Sequence, residues 1–220
     1  MKKIIVFGNG QMAEIAHVYL AQDPSLQIIA FTVDARYNTA KTFRGLPVVN
    51  FEDVAKVYPP TEYSMFVPIG AKKLNQLRAE KYLAAKAMGY GFISYVSPQA
   101  QISPEVEIGE NCFIFENNVI QPFVKIGNDV ILWSGNHIGH HSTIKDHCFV
   151  ASHVVISGCV VVEPYCYFGV NATVRDAITI GEKCIIGAGT LILRSTKEGQ
   201  VFRGTHTEAH RFSSDAVKVA

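Results

Sequence analysis

A six-residue repeat governs the second half of the chain. From Ile102 to Leu191 the sequence divides into fifteen consecutive hexads, and each one begins with Ile, Leu, Val or Phe. The fifth position of the hexads is also restricted, mostly to small or β-branched residues. A period of six matches neither the 3.6-residue period of a helix nor the two-residue period of a flat strand. It predicts a β-helix, in which each hexad forms one short strand and one turn and three hexads close a coil.

The same repeat accounts for four of the five cysteines. These four occupy the fifth position of their hexads: Cys112, Cys148, Cys166 and Cys184. That position should face the narrow interior of the coil, where a free cysteine packs as a small apolar residue. Cys159 stands in a fourth position and should face outward. Because the count is odd and no CxxC pair occurs, the sequence predicts neither a disulfide framework nor a zinc ribbon.

The first hundred residues have the pattern of an α/β domain. A buried strand, a glycine turn and a helix follow one another, and the turn contains Gly8-x-Gly10-x-x-Ala13. Such a turn presents backbone N–H groups to a phosphate at the helix N-terminus. A second strand ends at Asp34, about twenty residues later, where a carboxylate can accept hydrogen bonds from a ribose or a base. The combination predicts nucleotide binding; the alternative is a glycine turn that serves only close packing of helix and sheet.

The sheet predicted for this front half is too short for a full dinucleotide-binding domain. After the first two strands, the pattern predicts one more strand, a helix and a closing strand before Pro98. We therefore predict a half-Rossmann domain over residues 1–98, suited to a mononucleotide. The β-helix should occupy residues 99–195, and residues 196–220 should form a C-terminal tail.

The charge of the chain limits its partners. The formal net charge is +1 and the sequence pI is about 7.7, with acids and bases interspersed. No field of one sign is therefore expected that would hold nucleic acid or an anionic membrane. The apolar run after Met1 is interrupted at Gly8, too early for a signal peptide or a membrane span. We expect a soluble, cytoplasmic protein.

Both halves of the chain resemble known enzymes. The hexads resemble the left-handed β-helix of the hexapeptide-repeat acyltransferases, which are typically trimers with active sites between subunits. Together with the short Rossmann-like front, they resemble the sugar acetyltransferases of the sialic acid and bacillosamine pathways. The matching segments are residues 7–16, Asp34, Ile69-Gly70, Asn75–Arg78 and residues 97–103. The resemblance implies a left-handed parallel β-helix, a homotrimer and acetyl-CoA as co-substrate. We expect no metal, because of the spacing of the histidines described below.

The resemblance also implies the catalytic residues. The family's base is a histidine in an Ile-x-His hexad, eighteen residues before a small residue, and His140 and Gly158 match this pattern. His140 is the predicted general base, since histidine titrates near neutral pH. The N–H of Gly158 is the predicted donor to the thioester oxygen. Many relatives follow the base with an acid, but here His141 follows; it orients His140, acts as the base itself or contacts the substrate.

Two further sets of contacts follow from the resemblance. Ala188, which we place at the same coil corner, and Arg194 are predicted to bind coenzyme A, the arginine through a phosphate. The alternative for Arg194 is a solvated surface charge. The predicted contacts to the nucleotide sugar are Gly8, Asn9, Gly10, Asp34, Gly70, Asn75 and Arg78.

Five of the eight histidines fall within residues 137–153, which raises the question of a metal site. His141, His147 and His153 are each six residues apart, so they should lie on three different faces of the coil. One metal ion cannot reach all three. The remaining metal hypothesis combines His137 with His140 or His141.

The function predicted from the sequence is an acetyl-CoA-dependent N-acetyltransferase acting on a nucleotide-linked amino (dideoxy) sugar, in surface polysaccharide or glycan synthesis. The amine should attack the thioester directly, because no cysteine or serine is paired with a base for a covalent intermediate. One alternative is a sugar O-acetyltransferase of the sialic acid type. The other is a non-catalytic trimeric binding protein, since a fold does not determine a function.

Overall fold

The structure is a computed structural model that describes residues 1–205 and 207–209. The predicted C-terminal tail therefore falls only partly within the described residues. Two of its histidines, His206 and His210, lie outside them.

The N-terminal half is built on a six-stranded sheet. Its strands are β1 (Lys2–Phe7), β2 (Leu26–Val33), β3 (Thr42–Phe43), β4 (Leu46–Asn50), β5 (Ser64–Phe66) and β6 (Gly91–Phe92). Its helices are α1 (Gln11–Leu20), α2 (Val54–Val57) and α3 (Gln76–Ala87), with 3-10 turns at Ala35–Tyr37 and Phe51–Asp53. The strand order is β3-β4-β2-β1-β5-β6, and only β3 and β4 pair antiparallel. An α/β front half is confirmed.

The β3–β4 hairpin was not predicted from the sequence. Arg44 and Gly45 form its two-residue turn with φ of 51° and 79°, the left-handed conformation that tight hairpins favour. β4 then pairs with β2 and widens the sheet. The apolar run that forms β4 is short and contains Pro47, so its pattern is a weak strand signal.

Three parallel sheets form the faces of the β-helix. Face I contains β8 (Gln101–Ile102), β11 (Val119–Ile120), β14 (His137–Ile138), β17 (Val155–Ile156), β20 (Thr173–Val174) and β23 (Leu191–Ile192). Face II contains β9 (Glu107–Ile108), β12 (Lys125–Ile126), β15 (Thr143–Ile144), β18 (Val161–Val162) and β21 (Thr179–Ile180). Face III contains β7 (Tyr95–Val96), β10 (Phe113–Ile114), β13 (Ile131–Leu132), β16 (Phe149–Val150), β19 (Tyr167–Phe168), β22 (Ile185–Ile186) and β24 (Val201–Phe202).

Each strand pairs with the strand one coil further along the chain. His137 of β14, for example, pairs with Val155 of β17, eighteen residues later. Short parallel strands that stack at intervals of eighteen residues are consistent with the predicted left-handed β-helix. The first strand to join the stack is β7, which lies before residue 99, and the last is β24, which lies after residue 195.

The hexad positions have fixed environments. The cysteines at fifth positions are fully buried, whereas Cys159 is exposed, which confirms the predicted pattern. Burial raises the pKa of Cys112 to about 12, so this thiol is a packing group rather than a nucleophile.

The fourth positions of the hexads lie at corners and share one backbone conformation. From Asn111 to Lys183, the non-glycine residues there have φ between 55° and 64°, and Gly135 has φ of 78°. His141, His147 and His153 all belong to this series. The corners are named here after the faces that meet there: I/II, II/III and III/I.

The front domain covers face III of the β-helix. Phe66 of β5 packs edge-on against Phe113, and Tyr19 of α1 packs edge-on against Phe115, with ring centroids 5.2 and 5.0 Å apart. These rings belong to one buried cluster shared by both halves. Because the three faces follow one another in each coil, corner I/II lies opposite the covered face.

Candidate functional site

Corner I/II brings together His140 and Gly158. β14 and β17 are paired neighbours on face I, so the residues that follow them stand one above the other. A Cβ added to Gly158 would lie 2.8 Å from both Cε1 and Nε2 of His140, and the N–H of Cys159 donates to the His140 carbonyl at 2.8 Å. The predicted eighteen-residue stacking is confirmed, while the catalytic roles of the two residues remain predictions.

His140 and His141 form a pair of exposed imidazoles. Their Nδ1 atoms are 3.1 Å apart, a hydrogen-bonding distance. The backbone N–H of His140 donates to Oε1 of Gln121 at 2.9 Å. One coil below His141 lies Phe123, whose ring centroid is 4.7 Å from the imidazole centroid. Gln121 and Phe123 were not predicted, since neither residue type stands out in a hexad.

Arg194 continues the column of His140 and Gly158. It follows β23 on face I and therefore stands at corner I/II, exposed, three coils above His140. With a strand spacing of about 4.8 Å, the two residues are separated by roughly 14 Å along the stack. Within the described part of the chain, the Arg194 side chain makes no hydrogen bond or ion pair.

The prediction that Ala188 shares this corner is wrong. Ala188 follows β22, a strand of face III, and so stands at corner III/I. It comes thirty residues after Gly158, which is a whole number of hexads but not of coils. The hexad position alone therefore did not determine the corner.

The histidines after β14, β15 and β16 occupy different corners. These three strands belong to faces I, II and III, respectively. His141, His147 and His153 are therefore separated as predicted. Over residues 1–205 and 207–209, no group of three or more His, Cys, Asp or Glu side chains is arranged to hold a metal ion.

A second cluster of predicted residues surrounds the N-terminus of α1. Gly8 has φ of 113°, and a Cβ there would lie 3.3 Å from Cβ of Ala13, so both conformation and helix packing require glycine. Gly10 is the N-cap of α1 and has no atom within 4 Å of its ideal Cβ position. Gly70 lies beside Met12 of α1. The open helix N-terminus suits a phosphate.

Asn9 and Asp34 stand beside this cluster. Asn9 Nδ2 donates to the carbonyl of Tyr37 at 3.4 Å. Asp34 follows β2 and is 8% exposed, and its Oδ1 accepts a hydrogen bond from Nζ of Lys81 at 2.6 Å. Although burial opposes the charge of Lys81, the hydrogen bond and charge of Asp34 raise its pKa. Lys81 was not predicted, because its partner lies 47 residues away.

The geometry contradicts the prediction that Arg78 binds the nucleotide sugar. Arg78 is 0% exposed, and its Nε lies 3.2 Å from Oδ1 of Asp129. Nη2 donates to the carbonyls of Asp129, His147 and Cys148 at 3.0, 3.0 and 3.1 Å. Nη1 donates to the Ile69 carbonyl. The donors of the guanidinium are therefore all used within the protein, where they attach α3 to corner II/III.

Asn75 has the same structural role and is likewise not a ligand contact. It is 0% exposed, and its Nδ2 donates to the carbonyls of Tyr165 and Cys166 at 3.3 and 3.1 Å. Asp129, at the centre of this corner, also contacts Nδ1 of His147 at 2.8 Å. His147 therefore belongs to this buried structural network.

Comparison with known proteins supports the fold. Residues 93–186 match the family model described as the GMPPB C-terminal domain. No curated protein sequence matches significantly. Within the described residues, no helix has both the length and the apolar character needed to cross a membrane.

Several solved structures are similar to nearly the whole chain. A histidine mutant of perosamine N-acetyltransferase from Caulobacter crescentus, in complex with CoA and GDP-perosamine, is 23% identical with a TM-score of 0.83, over 93% of this chain and 94% of that chain. The acetyltransferase domain of PglB from Neisseria gonorrhoeae is 21% identical with a TM-score of 0.80, over 93% and 97%. WeeI from Acinetobacter baumannii is 21% identical with a TM-score of 0.68, over the same shares. The chain shares their fold: an α/β domain followed by a parallel β-helix.

Proposed function

We propose that the protein is an acetyl-CoA-dependent N-acetyltransferase whose acceptor is a nucleotide-linked amino (dideoxy) sugar. The observation that carries this proposal is the imidazole of His140 stacked against Gly158 at an open corner. The shared fold with an N-acetyltransferase solved with CoA and GDP-perosamine supports both co-substrates. We place the reaction in the cytoplasm, where both co-substrates are available.

The proposed reaction is a direct acyl transfer. Nε2 of His140 removes a proton from the amine as the nitrogen attacks the thioester carbonyl. The N–H of Gly158, which donates no hydrogen bond within the described residues, stabilises the developing oxyanion. The thiolate leaves when the intermediate collapses and takes the proton from the imidazolium, which returns His140 to its starting state. Arg194, further along the same corner, would bind a phosphate of coenzyme A.

The positions of the two clusters support a site completed between chains. The front domain covers face III, whereas His140 stands at the opposite corner. A sugar held by Gly10 and Asp34 of one chain would therefore meet the histidine of a neighbour. We propose a homotrimer on this basis.

The proposed function is tested by thiol release from acetyl-CoA. The purified full-length protein is assayed with UDP-, dTDP- and GDP-linked amino sugars and with free sialic acid. Release with a nucleotide amino sugar supports the proposal, and the preferred nucleobase identifies the nucleotide of the acceptor. Release with sialic acid alone indicates an O-acetyltransferase. Binding of nucleotide sugars without thiol release indicates a binding protein.

Gly10→Leu should weaken nucleotide-sugar binding about tenfold or more, equivalent to about 1.4 kcal/mol. The space around Gly10 is open and its φ is −111°, so the side chain fits the fold but occupies the N-terminus of α1. The dissociation constant is measured by calorimetry. Gly91→Leu, at an equally open position in β6, is the matched control. Unchanged affinity in Gly10→Leu would contradict the assignment of the pocket.

Mixed oligomers test the site between chains. Chains carrying His140→Ala and chains carrying Gly10→Leu are co-expressed and purified together. With random assortment, about one site in four combines an intact histidine with an intact nucleotide pocket. At a nucleotide-sugar concentration well below the dissociation constant, where Gly10→Leu alone keeps about a tenth of the activity, turnover should therefore recover to about a quarter of the wild-type value. Turnover no higher than that of either parent would place both functions within one chain.

A further inference from the structure

The contact between His140 and His141 restricts where their protons lie. The two Nδ1 atoms are 3.1 Å apart. A neutral imidazole carries one N–H and one lone pair, so this contact is a hydrogen bond only when one Nδ1 is protonated and the other is not. If a neutral His140 donates, its Nε2 keeps a lone pair. If His141 donates, a neutral His140 carries its proton on Nε2 and cannot act as a base there.

We infer that His141 is a positioning residue that accepts the Nδ1 hydrogen of His140 and thereby fixes the reactive tautomer of the base. The inference rests on the proposed function. Nε2 is the nitrogen of His140 that lies against Gly158, 2.8 Å from its ideal Cβ position, and it is therefore the one placed to take the proton of the attacking amine. His141 in turn carries its proton on Nε2.

Phe123 keeps the acceptor in place. Its ring lies one coil below His141, tilted by 39° at a centroid distance of 4.7 Å, although Phe123 itself is 51% exposed. An aromatic ring against the imidazole limits the rotation of His141 and so preserves the contact with His140. This packing gives an exposed phenylalanine at a corner a specific role.

The corner tolerates a series of replacements for His141, which has φ of 58°. Other fourth positions of the same β-helix hold Asp129, Ala177 and Lys183 with φ of 56°, 55° and 57°. Variants with Asp, Ala or Lys at position 141 are therefore expected to keep the backbone. These side chains differ in the property that matters: aspartate only accepts a hydrogen bond, alanine does neither, and lysine only donates.

The experiment compares His141→Asp, His141→Ala and His141→Lys. The aspartate variant should keep kcat within about tenfold of the wild type, because it accepts from Nδ1 of His140. The lysine variant should lose about a hundredfold or more, because it donates to Nδ1 and stabilises the wrong tautomer. The alanine variant should fall between them. Nitrogen-15 NMR of the full-length protein reports the tautomer directly: protonated Nδ1 on His140 in wild type and aspartate variant, protonated Nε2 in the lysine variant.

Three results would overturn the inference. Equal kcat in the aspartate and lysine variants would show that the direction of the hydrogen bond is irrelevant. A protonated Nε2 on neutral wild-type His140 would assign the opposite tautomer. Stoichiometric zinc bound by the pair in the wild-type protein would mean that both Nδ1 atoms face a metal instead of each other. Absence of turnover in the wild type would defeat the proposed function, while the NMR measurement would still test the tautomer.

Discussion

Replacing His140 with alanine is expected to lower kcat by about a hundredfold or more, the usual contribution of a general base. The KM for the nucleotide sugar should change little, because the predicted nucleotide contacts belong to the front domain. His140 is exposed, so the free energy of unfolding should shift by no more than about 0.5 kcal/mol. Steady-state kinetics and denaturant unfolding measure the two quantities.

The matched control for this experiment is His137→Ala. His137 is the first residue of β14, on face I next to corner I/II. It lies three residues before His140 in the sequence. Its removal should leave kcat within a few-fold of the wild type. Wild-type kcat in His140→Ala would contradict the assignment of the base, and a selective loss in His137→Ala would move it to that residue.

Arg78→Met is expected to lower the free energy of unfolding by about 3–5 kcal/mol. The substitution leaves the carboxylate of Asp129, which is 0% exposed, without its buried cation. It also removes the donors to the carbonyls of His147 and Cys148. Urea unfolding followed by circular dichroism measures the loss.

Two further variants separate this explanation from general damage. Arg175→Met removes an exposed arginine whose ion pair with Asp176 spans 3.8 Å, and it should cost less than about 1 kcal/mol. Adding Asp129→Asn to Arg78→Met removes the unpaired charge and should restore part of the stability. If Arg78→Met instead keeps its stability and loses affinity for nucleotide sugars, Arg78 is a ligand contact after all.

The β-helix could be predicted because the narrow interior of the coil takes apolar or small side chains at the same positions of every hexad. First and fifth positions such as Ile138 and Cys148 are fully buried, and this burial recurs so regularly that spacing alone placed His140 against Gly158. Ala188 shows the limit of the same argument. The place of a residue within its hexad fixes its position within a turn. Two residues share a corner only when they are separated in the sequence by a multiple of eighteen residues.

The attachment between the halves was not predictable from local pattern. Arg78 contacts Asp129 and Cys148, which lie 51 and 70 residues further along the chain. Its partners are mostly backbone carbonyls, which carry no sequence signal. The ligand contacts of Asn75 and Arg78 were predicted from the resemblance to the sugar acetyltransferases, whereas in the structure both side chains attach α3 to corner II/III. Lys81 was not predicted because its partner, the carboxylate of Asp34, lies 47 residues away in the sequence.

The return of the chain to the same corner after each coil restricts how such a molecule can change in length. Removing or adding a single hexad between His140 and Gly158 would keep every apolar position in register and still turn all later residues to the next corner. The β-helix would still fold, but His140 and Gly158 would no longer lie next to each other. Inserting a whole coil would return Gly158 to corner I/II, but two coils above His140 and roughly 10 Å away. The spacing of one coil between these two residues should therefore be the same in all active relatives.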